Sequence, residues 1–146
     1  MERPVDFDSP AVQSYLTILQ GVIGRMASNS AGAKTWCIAL VSAIIVVIAD
    51  KGRPGYIWIS LVPVGLLFLL DAYYLGIERQ FRDRYNDFIA KLHRGNAEVN
   101  DVFIVTSGGG VSGSMKAALR ACGSVSVWPF YLILALMLLA IRMWVL

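Results

Sequence analysis

The chain has 146 residues, 57% of them hydrophobic, with a mean hydropathy of +0.62. Thirteen Lys and Arg against ten Asp and Glu give a formal charge of +3. Three stretches, 35–49, 55–70 and 121–141, contain no Asp, Glu, Lys or Arg, and they take up too much of the chain to leave room for a soluble enzyme domain.

Residues 1–10 are acidic and polar, unlike the basic and then apolar start of a cleavable signal peptide. Asp8-Ser9-Pro10 reads as a helix start, a polar cap followed by a proline whose missing N–H costs nothing there. Val12, Tyr15, Leu16, Leu19, Val22, Ile23 and Met26 recur at helical spacing, opposite Gln13, Thr17, Gln20 and Gly24. The polar face lacks Lys and Arg before Arg25, so this amphipathic helix of segment 1–32 is expected to pack on other helices of an assembly rather than bind lipid by charge. Asn29-Ser30-Ala31-Gly32 is the expected joint before the first span.

About 20 apolar residues cross a hydrocarbon core of about 30 Å. The sequence therefore predicts a transmembrane hairpin, 33–77, with spans at about 35–50 and 55–76, and a third span in 121–146. Lys34 can snorkel at one end of the first span and Asp50-Lys51 at the other. Trp36, Trp58, Trp128 and Trp144 fall near span ends, where indole rings favour the membrane–water boundary. Gly32, Ala33, Ala39, Ser42 and Ala43 give the first span small residues for close helix contact. Arg3, Arg25, Lys34 and the basic residues of 79–120 outnumber Lys51, Arg53 and Arg142, which sets the N-terminus in the cytoplasm and the C-terminus outside. Cys37 and Cys122 then lie near cytoplasmic span ends, reduced and serving as small membrane-facing or packing residues.

Leu67, Leu70, Tyr74, Ile77, Phe81, Tyr85, Phe88 and Leu92 fall on one stripe, interrupted only by Gly76. The second span should thus run on as a long cytoplasmic helix that packs against a partner along its length. Arg79, Asp83, Asp87, Lys91 and Arg94 occupy the other side, a solvated face. Asp71 and Glu78 sit at the edge of the apolar stripe, seven residues apart. Around an oligomer axis they would form stacked acidic rings, with Tyr74 and Phe81 as further pore or gate candidates. The plainer alternative is an ion pair of Asp71 with Lys34 and an i,i+4 pair of Glu78 with Arg82.

The helix should stop after His93-Arg94-Gly95-Asn96, since Gly and Asn favour the left-handed cap. Residues 101–106 are β-prone, 107–114 are rich in Gly and Ser, and 115–120 are helix-forming. That order can cradle a phosphate beside Lys116, although its spacing matches neither a phosphate-binding loop nor a dinucleotide fingerprint, and a flexible linker is the simpler account. His93 is the only histidine, and no catalytic constellation, metal-ligand set or cofactor motif surrounds it. A chain this small encloses a pathway only by oligomerising, as a tetramer or larger ring.

The run from Tyr15 to Ile44, with Leu19-Gln20, Ile23-Gly24-Arg25-Met26-Ala27, Asn29-Ser30 and Lys34-Thr35-Trp36, is followed by Leu70-Asp71-Ala72-Tyr73-Tyr74 and Glu78-Arg79-Gln80-Phe81-Arg82. Over residues 12–92 this pattern resembles small membrane effectors of bacterial anti-phage systems, SLATT-like and SMODS-associated transmembrane effectors and the membrane effector of Hailong-type systems. The resemblance implies a bacterial inner-membrane pore that opens on infection, under a nucleotide or oligonucleotide made by a partner nucleotidyltransferase. Arg79, Arg82, Arg84, Lys116 and Arg120 are the expected anionic-ligand residues. The competing expectation is a non-conducting scaffold that recruits a soluble partner through the N-terminal helix and the 67–92 stripe. The expected fold is all-α: an amphipathic helix, three transmembrane helices, a long cytoplasmic extension of the second in segment 78–120, and a small element before the third.

Overall fold

The computed structural model describes residues 8–52, 54–106 and 110–144. It is all-helical, with no β-strand among the described residues. Helix α1 spans Pro10–Lys51, a 3-10 stretch Pro54–Ser60 follows, and α2 spans Leu61–His93. A short 3-10 turn Val99–Asp101, α3 (Gly110–Cys122) and α4 (Trp128–Trp144) complete the order.

Helix α1 starts as expected, with Ser9 in extended conformation at the cap and Pro10 in the first turn. Gly52 ends it in the left-handed region, φ 60°, its N–H reaching Ala49 O at 3.3 Å. The expected joint at 29–32 is instead helical, part of the unbroken α1. Gly32 costs a helix only about 1 kcal/mol relative to Ala. Ser30 and Ala33 are buried on either side of it, and that packing holds the turn in register. One 42-residue helix, about 63 Å long, therefore unites the amphipathic segment with the first apolar stretch.

Helix α2 packs antiparallel on α1 and carries the 67–92 stripe without a break. It stops at His93 through a paired cap: Gly95 N–H donates to Leu92 O and Asn96 N–H to Lys91 O, both at 3.0 Å, with Gly95 at φ 70°.

Two cores lie along this hairpin. One joins Val12, Tyr15 and Leu19 of α1 to Phe81, Phe88 and Leu92 of α2. The other joins Cys37, Val41 and Ile48 to Val64, Ala72 and Leu75, and is capped by Tyr131, Leu134 and Leu138 of α4. The face expected to meet a separate partner is therefore covered within the chain: the apolar side of the first helix lies on the α2 stripe.

The β-prone run 101–106 forms no strand. Instead the chain is tied down point by point, Lys91 to Asp101 at 2.6 Å and Ile104 O to two donors, Tyr15 Oη at 2.9 Å and Arg84 Nη1 at 3.0 Å. Phe103 takes a positive φ of 66° and stacks edge-on to Tyr15. No extended neighbour is present among the described residues, so these ties replace a ladder. Residues 107–109 of the glycine-rich segment lie outside the described residues, while 110–114 already belong to α3, which begins earlier than the expected 115. Gln80 Nε2 donates to Gly113 O at 3.0 Å, and a Cβ on Gly76 would stand 2.7 Å from the Ala117 carbonyl carbon. The glycine inside the stripe thus lets two helix backbones approach.

The third apolar stretch, 121–141, is not one helix. Gly123 to Val127 form a turn in which Ser124 O accepts from Val127 N–H at 2.9 Å and Trp128 N–H at 3.1 Å. Pro129, which has no N–H, sits in the first turn of α4 that follows. Helix α4 has 17 residues, about 26 Å.

Among the described residues two helices are long and apolar enough to cross a membrane, Pro10–Lys51 and the run Gly55–His93. Only 22% and 28% of their most apolar windows are buried inside the protein. Trp36, Val46, Leu66 and Ile133 point outward, each more than three-fifths exposed.

Candidate functional site

The charge-free stretch of α1 begins just after Lys34 and that of α2 ends just before Asp71, so antiparallel packing brings these two charges level. Asp71 is fully buried, and its Oδ1 accepts a hydrogen bond from Ser30 Oγ. Its Oδ2 receives no aligned hydrogen bond and is met by Lys34 Nζ at 2.5 Å, so the attraction there is one of charge. Ser30 and Lys34 lie one helical turn apart, and Lys34 Nζ reaches Ser30 Oγ at 3.5 Å. Helix α4 joins the same place: Tyr131 Oη donates at 3.0 Å to Leu67 O, one turn before Asp71, and the Tyr131 ring meets Phe68 edge to face at 5.4 Å. All three apolar helices therefore converge on one polar node.

The second acid is arranged differently. Glu78 is nearly buried and pairs with Arg82 at 2.5 Å along its own helix. Tyr74 is half-buried beside Tyr73, and Phe81 belongs to the aromatic core. Within one chain, then, neither acid lines a free face; both occupy the ion pairs that were the plainer alternative. A ring of bare carboxylates would require these pairs to part.

The five anionic-ligand candidates do not gather. Arg79 Nη2 donates to Ser124 Oγ at 2.7 Å, Arg82 is held by Glu78, and Arg84 by Ile104 O. Lys116 and Arg120 are exposed on α3 and are the two of this set with no hydrogen bond or ion pair among the described residues. Arg84 lines a cavity of about 370 Å³ together with Tyr15, Gln80, Phe88 and Lys91, but Asp83, Asp87 and Asp101 line it as well, which opposes an anion. The Lys91 hydrogen bond holds the Asp101 carboxyl below the usual carboxylate range, and burial pushes the Tyr15 phenol up against the opposing pull of Arg84.

Sequence reasoning singled out Asp71 and Lys34 but passed over Ser30, read as part of a joint, and Tyr131, read as one more apolar-span residue. The i,i+4 spacing of Ser30 and Lys34 was the available signal; Tyr131 carried none, because its partner is a backbone carbonyl. Among the described residues no group of three or more His, Cys, Asp or Glu side chains comes together.

These features define an all-helical chain with two potential membrane-crossing helices and a buried charge node between them. Comparison with family models, curated proteins and solved structures finds no match.

Proposed function

We propose that this chain is a homo-oligomeric bacterial inner-membrane effector, an ion channel or pore gated by a nucleotide or oligonucleotide signal in anti-phage defence, whose opening depolarises the cell and arrests growth. The observation that carries this reading is Asp71, wholly buried where the apolar parts of α1 and α2 end. A carboxylate kept at membrane depth is expensive and marks ion pathways more often than packing sites. The outward display of many large apolar side chains, Trp36, Val46, Leu66 and Ile133 among them, supports a lipid environment. In this reading α4 is a third span, short at about 26 Å, its far end anchored where Arg142 lies 4.9 Å over the Trp58 ring. The N-terminus is cytoplasmic and the C-terminus periplasmic, following the distribution of basic residues.

With both acids paired, the arrangement corresponds to a closed form. Lys116 and Arg120, the unoccupied cations on α3, are the first place an anionic signal meets the protein, and α3 leads through a five-residue turn into α4. The scaffold reading is weakened because the two faces it would use already cover each other.

The test is potassium release from liposomes carrying purified wild-type chain or the Asp71→Asn variant at matched protein-to-lipid ratios. Release is expected from the Asp71→Asn variant, whereas wild type, with its pairs intact and no signal present, should retain potassium. Full retention by both, with the protein assembled as an oligomer, would leave a non-conducting scaffold.

A further inference from the structure

The geometry points to Lys34, Asp71 and Ser30 as a releasable clasp that holds the apolar helices shut, with Tyr131 seating α4 beside it. Three observations support this. First, the node is the only polar link between the apolar parts of α1 and α2 among the described residues; everything else around it is side-chain packing by Cys37, Val41, Ala72 and Leu75. Second, apolar residues of equal volume would hold two helices together at least as well as a buried ion pair, so this pair is poorly explained as glue. It does provide two discrete states, since the charges must either meet each other or find water. Third, access is one-sided: Asp71 is fully buried, whereas the Lys34 side chain is 22% exposed, so the clasp can be approached only from the lysine. Apolar contact weakens gradually as helices separate, while a charge pair in low dielectric holds until water enters and then loses most of its attraction.

Cys37 reports on this state without any reference to conduction. It lies one turn beyond Lys34, fully buried in the core that Ala72 and Tyr131 also line. The proposal rests on the channel reading for its purpose but not for its test. In full-length protein in liposomes, with Cys122 replaced by Ser, labelling of Cys37 by a small maleimide is followed over time. Asp71→Asn and Lys34→Gln should each raise the labelling rate about tenfold or more. The exchanged pair, Lys34→Asp with Asp71→Lys, should return it to within about threefold of wild type. Helical content by circular dichroism confirms that each variant is folded, and the two single changes serve as substitutes for one another if either fails.

Unchanged labelling in both single variants would overturn the clasp, because the pair would then not be holding the helices. Labelling of the exchanged pair as fast as in the singles would also overturn it, because attraction between the two charges would not be what matters. Potassium release from the same liposomes separates the two ideas. Exposed Cys37 without release keeps the clasp and removes the channel, whereas release with Cys37 still shielded keeps the channel and removes the clasp.

Discussion

The same two helices build both ends of the hairpin, yet the ends follow opposite rules. At the end holding Tyr15 and Phe88, aromatic rings turn inward, charges turn outward, and the 97–106 strap is secured by hydrogen bonds. At the end holding Cys37 and Ala72, large apolar side chains turn outward and the one carboxylate of α2's charge-free edge turns inward. The contrast shows that one continuous helix can follow two burial rules, with the change falling at Ser30, Lys34 and Asp71.

The sharpest way to break this comparison is to leave a charge unpaired at that boundary. Lys34→Met should destabilise the fold by about 3 kcal/mol or more, since a buried partner is stranded. The double change Lys34→Met with Asp71→Leu should recover most of the loss, as measured by denaturant unfolding in detergent. Next comes Gly76→Ala, whose new methyl would stand 2.7 Å from Ala117 and Ala118 backbone atoms. Helix α3 must shift, at a cost of about 1–3 kcal/mol, and faster amide exchange in α3 than in α1 would locate the damage.

A smaller effect, about 1 kcal/mol, is expected for Tyr15→Phe, which removes one of two donors to Ile104 O and should loosen the strap without touching Cys37 labelling. The pH dependence of the strap has a defined sign. The folded-state carboxyl of Asp101 is depressed, so the Lys91 pair stabilises the strap above the usual carboxylate pKa and that contribution is lost as pH falls through the lowered value. Exchange protection of 99–104 should therefore drop in acid, and Lys91→Gln should flatten that drop. Smallest is Glu78→Gln: its partner Arg82 is well exposed, and the loss should be a few tenths of a kcal/mol by thermal unfolding.

Much of the hairpin was legible because its signals are local and periodic. The apolar stripe ran through Gly76 into a single α2, Asp8-Ser9-Pro10 started α1, and Gly95-Asn96 ended α2. The Lys34–Asp71 and Glu78–Arg82 pairs were visible as alternatives, since one follows from span ends meeting at a common level and the other from i,i+4 spacing. What failed depended on tertiary contact. The weak helix-formers at 29–32 suggested a joint, but burial of Ser30 and Ala33, with Ser30 bonded to Asp71 of α2, overrode propensity. The β-prone 101–106 found no strand to pair with, and its polar groups went to Tyr15, Arg84 and Lys91 instead. In 121–141, hydropathy alone concealed the Gly123–Ser124 turn. The anionic-ligand set was chosen by charge, which does not reveal that Arg79, Arg82 and Arg84 are already engaged with internal acceptors.

The unbroken α1 carries Ser30 and Lys34 of the clasp within a single helix, which gives the proposed clasp a lever arm on either side. Lys34 stands about 36 Å from Pro10 and about 26 Å from Lys51 along the axis. A tilt of roughly 5° about that point would move the first end by about 3 Å and the second by about 2 Å, with no hinge to absorb the motion. With the proposed clasp as the pivot, a push on the Tyr15 end would be felt, reversed in direction, at the far side of the node.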